Sequence, residues 1–68
     1  MKAEQKRELR EAKLTNMLSI IRKHPGIRAS EINREMNLDH SWNLRSTLIK
    51  RGLVRKERVG AAVRYYLP

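Results

Sequence analysis

The side chains best suited to recognition chemistry lie between His40 and Arg64. Leu44 and Leu48 are four residues apart, so a helix over His40 to Arg51 puts them on one face, with Ile49 beside them. Stepping about 100° per residue from that face aims Asn43, Ser46 and Lys50 outward and leaves Trp42 and Thr47 on the flanks. Arg45 falls about a quarter turn from the apolar face, from where it can swing outward. An asparagine amide matches the edge of adenine, and arginine or lysine matches guanine or phosphate. Serine and threonine hydroxyls suit phosphates or bases. For Trp42 the expectation is packing beneath a neighbouring element; contact with a thymine methyl or a sugar is the alternative.

A second group, Arg55, Lys56, Arg58 and Arg64, clusters on what reads as a two-stranded ribbon, with Glu57 as the one acid. Four cations on a narrow ribbon fit phosphate contact or insertion of an arginine into a minor groove. Charge on strands also protects sheet edges from aggregation, which is the competing explanation. Arg28 and Ser30 open another short helix, where unpaired backbone amides and the helix dipole attract anions. Tyr65 and Tyr66 are adjacent on a strand, so one faces inward and the other outward.

Other chemistries find no residues to carry them. The chain has no cysteine, and its two histidines, His24 and His40, lack carboxylates at ligand spacing. No metal site, cofactor, glycine-rich phosphate loop or catalytic constellation is expected. Sixty-eight residues offer no second layer to enclose a substrate, so neither an enzyme nor a small-molecule ligand is expected. No apolar run approaches the roughly 20 residues of a membrane span. The residues after Met1 are charged and helix-favouring, unlike a secretion signal, so a cytoplasmic location is expected.

The charge is large and uneven. Sixteen Lys and Arg against seven Asp and Glu leave a net of +9. Residues 1–26 carry seven basic and three acidic side chains, a net of +4. Residues 27–40 carry two basic and three acidic, a net of −1, and residues 41–68 carry seven basic and one acidic, a net of +6. This segregation favours one positive face that meets a polyanion.

The elements that must position these side chains follow from periodicity. Residues 2–23 contain no Gly or Pro and are rich in strong helix formers. Leu14, Met17, Leu18 and Ile21 fall on one face of that helix, with Ile20 on its flank. Pro25 and Gly26 end it. Ile27-Arg28 reads as a short extended segment. Ala29 to Asn37 reads as a second helix buried through Ile32 and Met36, with Ser30 as candidate N-cap. Asn37-Leu38-Asp39 forms a tight turn in which Leu38 plugs the core and Asp39 caps the third helix. That helix, His40 to Arg51, ends at Gly52, placed for a left-handed cap. Leu53 to Val59 and Ala62 to Leu67 read as strands around a Gly60-Ala61 hairpin tip, with Val63, Tyr65 and Leu67 on one face. The expected fold is mainly α with a small β-hairpin: three helices plus a two- or three-stranded wing, in one domain over residues 1–68.

The stretches Ile27-Arg28-Ala29-Ser30-Glu31-Ile32, Met36-Asn37-Leu38, Leu48-Ile49-Lys50-Arg51-Gly52-Leu53-Val54 and Arg64-Tyr65-Tyr66-Leu67 are informative as a set. Together they make residues 14–68 resemble winged helix-turn-helix transcriptional regulators of the MarR, ArsR and PadR types. The resemblance implies a recognition helix at about 40–51 in the major groove of double-stranded DNA, and a wing at about 53–67 on the backbone or minor groove. Many such proteins carry an apolar residue three before the position of Leu48, where this chain has Arg45.

Residues 1–13 form a candidate helical extension or homodimerisation segment, through Ala3, Leu9 and Ala12. The competing role is a basic extension that adds phosphate contacts through Lys2, Lys6, Arg7, Arg10 and Lys13. The alternatives to a sequence-specific regulator are a winged module for protein contacts and a plasmid or phage replication accessory factor. Binding of RNA or single strands is disfavoured by the lack of a run of aromatic residues for stacking.

Overall fold

A computed structural model describes the backbone of residues 2–68 and the side chains from Leu9 onward. The side-chain roles expected of Lys2, Ala3, Lys6 and Arg7 lie outside the described residues. Helix α1 spans Lys2–Lys23. Its stripe of Leu14, Met17 and Ile21 is fully buried, while Leu18 and Ile20 pack partly against the core. The helix stops because Pro25 has no amide hydrogen to extend the ladder. The next residue, Gly26, turns the chain with φ 85, and a Cβ there would stand 3.3 Å from the Tyr66 hydroxyl oxygen.

Strand β1, Ile27–Arg28, leads directly into helix α2, Ala29–Met36. The N-cap of α2 is Arg28, which corrects the expectation for Ser30. The Arg28 N–H donates to Glu31 Oε1 at 3.1 Å. Arginine has no acceptor to return, so the cap is one-sided. Ser30 lies inside the first turn and is exposed.

Helix α3 spans Trp42–Lys50, two residues shorter at its start than expected. Its N-cap is Ser41, not Asp39. Ser41 is 2% exposed, and its Oγ receives the Arg45 Nε–H at 3.0 Å, so burial settles where the helix begins. Helices α2 and α3 close alike. Asn37 (φ 54) and Gly52 (φ 73) adopt left-handed backbone. The next N–H in each case reaches back, Leu38 to the Asn33 carbonyl at 2.8 Å and Leu53 to the Leu48 carbonyl at 3.0 Å. This is the Schellman closure, which satisfies carbonyls the helix cannot.

Strands β2, Arg55–Val59, and β3, Ala62–Tyr66, form a hairpin around Gly60 and Ala61. Gly60 has φ 62 at the first central position, as a type II′ turn requires. Strand β1 pairs with the other side of β3, giving a three-stranded antiparallel sheet in the order β1-β3-β2. The core joins Leu14, Met17 and Ile21 to Ile27, Ile32, Leu48, Val54 and Tyr65. Leu38 is half-buried and outside this cluster, so it does not plug the core. Of the alternating strand residues, Tyr65 is 4% exposed and Val63 39%. Val63 pairs with Arg58 near the Gly60-Ala61 tip of the hairpin. Three helices, a helix-turn-helix pair and a hairpin wing make an α+β winged helix-turn-helix layout. Among the described residues no helix is long and apolar enough to cross a membrane.

Candidate nucleic-acid interface

Helix α3 has an inner side, two edges and an outer side, each with its own neighbours. Leu48 is buried on the inner side, with Leu44 and Ile49 packed partly against the core. Helical spacing then carries Asn43, Ser46 and Lys50 to the outer side. Asn43 and Lys50 are exposed and Ser46 half-buried; Asn43 borders the cleft toward α1, and Ser46 and Lys50 line the groove toward the ribbon.

The edge toward α1 is bridged by hydrogen bonds, beside an open cleft of about 670 Å³ that Leu9, Arg10 and Lys13 of α1 line together with Asn43 and Leu44. Arg10 Nη2 donates to Thr47 Oγ1 at 2.7 Å, and that hydroxyl donates to the Asn43 carbonyl at 2.8 Å. One turn on, Arg51 donates twice to the Glu11 carboxylate, at 3.0 and 2.8 Å. The bonds from Arg51 hold the Glu11 carboxyl below its ordinary pKa, and Glu11 in turn raises that of Arg51. Both side chains are about half exposed, so the pair orients α1 against α3 more than it stabilises the fold. Thr47 therefore belongs to the helix–helix contact and is not brought to the outer group. Neither Arg10 nor Glu11 was marked for this role by the sequence, because they are 37 and 40 residues from their partners.

The opposite edge faces the hairpin. Arg45 is half-buried there. Besides its bond to Ser41, it donates through Nη1 to the Tyr65 hydroxyl, and its guanidinium carbon lies 5.5 Å from the centre of the Tyr65 ring. It thus ties the start of α3 to β3. The polar residue in a position where an apolar one is common is accommodated because every bond it makes is to a neighbour that needs one. The spacing of Ser41 and Arg45, four apart, was a readable signal; Tyr65 was not. Between α3 and the ribbon lies a groove of about 270 Å³, with Trp42, Lys50 and Lys56 on its rim. Trp42 is 65% exposed, which overturns the expectation that it packs beneath another element. Its position at the first turn of α3, on the groove edge, leaves nothing above it.

The ribbon divides the hairpin cations. Strand register sets Lys56 opposite Tyr65 and Arg58 opposite Val63, on the face that includes the groove. It sets Arg55 opposite Tyr66 and Glu57 opposite Arg64, on the outer face. Arg55 pairs with Glu57 at 2.7 Å and lies 4.7 Å from the centre of the Tyr66 ring. Arg64 donates to the Gly26 carbonyl at 3.0 Å. The four therefore do not form the single cluster expected, since successive side chains of a strand point to opposite faces. Arg28 pairs across from Arg64 and so shares the outer face, apart from the groove. Ser30 is exposed in the first turn of α2 and lines neither the groove nor the cleft beside α3.

What the fold does assemble is Asn43, Ser46 and Lys50 on α3, Trp42 at its leading end, and Lys56 and Arg58 on the adjoining ribbon face. Lys50, Lys56 and Arg58 make no side-chain hydrogen bond or ion pair among the described residues. His24 and His40 are exposed, and no group of three His, Cys, Asp or Glu among the described residues could hold a metal ion. The fold has a winged helix-turn-helix layout. The sequence matches no protein-family model, and no curated protein matches it.

Proposed function

We propose that the domain binds double-stranded DNA sequence-specifically, as a small transcriptional regulator. Helix α3 enters the major groove, and the groove face of the ribbon lies along the sugar-phosphate backbone. The observation that carries this reading is an uncovered helix face with an amide, a hydroxyl and an ammonium, flanked by two unengaged cations on the next element. The groove width admits one helix, and the base edges there carry the donors and acceptors that Asn43 and Ser46 match. Lys50, Lys56 and Arg58 supply the charge that displaces counterions.

The test is selection of bound duplexes from a random-sequence pool, followed by binding at several salt concentrations. An enriched motif is expected, with affinity falling steeply as salt rises. Asn43→Ala and Ser46→Ala should relax the motif, and Arg58→Ala should weaken all duplexes alike. A motif that survives substitution of Asn43, Ser46 and Lys50 together would overturn the reading. A module for protein contacts would instead bind random duplex weakly and without preference. Pairing of two copies through α1 belongs to the same proposal: Leu9 is 62% exposed, next to exposed Ala12. A two-fold symmetric motif would report such a pair.

A further inference from the structure

Trp42 is the most exposed large apolar side chain among the described residues, at 65%. Its indole makes no hydrogen bond among the described residues, and it stands at the first residue of α3 on the rim of the groove toward the ribbon. Ile49, Ser46 and Tyr65, with Arg45 held on the Tyr65 ring and hydroxyl, line the groove, while Lys50 and Lys56 give the rim its unengaged charge. A purely apolar partner would leave those two ammonium groups facing a surface that cannot solvate them. A polyanion satisfies them, and it satisfies the indole as well only if it presents an apolar group at the same place. In the major groove the base edges carry donors and acceptors, and one apolar group, the C5-methyl of thymine.

We propose that Trp42 is a specificity-determining residue that packs on a thymine methyl. The inference rests on the DNA-binding reading above and adds a base requirement to it. Trp42 and Ser46 are about 6 Å apart along the helix axis, at 1.5 Å per residue. That is less than two base steps of roughly 3.4 Å. The thymine therefore lies within two base pairs of the base that Ser46 meets. Asn43 and Ser46 supply the hydrogen-bond readout, and Trp42 supplies the apolar one.

The experiment uses the full chain and the duplex it enriches from the random pool. Each thymine is replaced in turn by deoxyuridine, which keeps every base-pairing and groove hydrogen bond and lacks only the methyl. For the unsubstituted protein, one position beside the Ser46 base is expected to lose about four-fold in affinity, the equivalent of burying one methyl group. Trp42→Ala is expected to bind the thymine and deoxyuridine duplexes equally at that position. Its melting temperature should match that of the unsubstituted chain, because the ring is largely in solvent. An enriched motif with no deoxyuridine-sensitive position, or equal sensitivity in Trp42→Ala, overturns the role of Trp42 and leaves the DNA-binding reading standing. Failure to enrich any sequence overturns that reading and this inference with it.

Discussion

On the groove face of the β2–β3 hairpin, Lys56 and Arg58 are unengaged among the described residues, whereas on the outer face Arg55 and Arg64 are both held. Arg55 is shared between Glu57 and the Tyr66 ring, and Arg64 is fixed on the Gly26 carbonyl. The two faces carry the same kind of charge from the same short stretch of chain. They differ in what that charge has left to offer. A guanidinium already bonded to a protein acceptor must give up that bond to meet a phosphate, while an unengaged one brings its full interaction. The same division runs through α3 and its C-cap, where Arg45 and Arg51 are tied to Tyr65 and Glu11 and Lys50 is not. Counting cations therefore overstates the binding surface; counting unengaged cations on one side gives Lys50, Lys56 and Arg58.

The largest effect comes from removing the support common to both faces. Ile21 and Ile32 are each 0% exposed. Truncation of either to alanine should cost about 2–5 kcal/mol, a large share of the stability of so small a domain. Denaturant unfolding measures it, and duplex binding should be lost in step. Loss of binding without loss of stability would separate the interface from the core that builds it.

The next effect bears on the faces themselves. The triple substitution Lys50→Ala, Lys56→Ala and Arg58→Ala should lower the slope of log affinity against log salt by about 2.7, at roughly 0.9 per phosphate. Arg55→Ala with Arg64→Ala should leave the slope nearly unchanged. Equal reductions would break the distinction between the faces.

A smaller effect is expected where Arg45 joins helix to hairpin. Arg45→Met and Tyr65→Phe should each cost about 0.5–1.5 kcal/mol of stability. Because they remove one shared interaction, the double substitution should cost less than the two singles together. Sequence preference should relax while the salt slope stays constant, since the spacing between helix and ribbon is disturbed and no phosphate contact is lost. A slope lower by about 0.9 would make Arg45 a phosphate ligand instead.

The smallest effect is at the α1 edge. The folded-state pKa of Glu11 lies below its ordinary value of 4.5, chiefly through the hydrogen bonds from Arg51. A depressed carboxyl pKa contributes stability above the unfolded value and loses it as pH falls through the folded value. Glu11→Gln should therefore lower the melting temperature slightly at pH 7. The difference should shrink below pH 4.5 and vanish once Glu11 is protonated in the folded chain as well. An unchanged difference at low pH would show that the contact, not the charge, matters there.

Much of the fold could be read along the chain because its signals are local. The apolar stripe of Leu14, Met17 and Ile21, the breaker at Pro25-Gly26, the cap at Gly52 and the turn at Gly60-Ala61 each act within a few residues. The outward direction of Asn43, Ser46 and Lys50 followed from helical geometry once Leu48 was placed inside. The misassigned caps are instructive. Ser30 and Asp39 have suitable side chains, yet Arg28 and Ser41 occupy the cap positions, because strand pairing and burial decided where each helix begins.

The amino-acid sequence by itself determined the elements, their order, the charge surplus in the last part of the chain and the polar face of the third helix. These depend on propensity and periodicity, which need no partner. The tertiary structure alone decided which cations are engaged, that Arg45 bridges to Tyr65, that Thr47 turns to Arg10, and that Trp42 stands in solvent. Each of those outcomes depends on a strand register or on a neighbour tens of residues away. A periodicity of two or 3.6 residues tells which way a side chain points from its own element, but not what the fold sets opposite it.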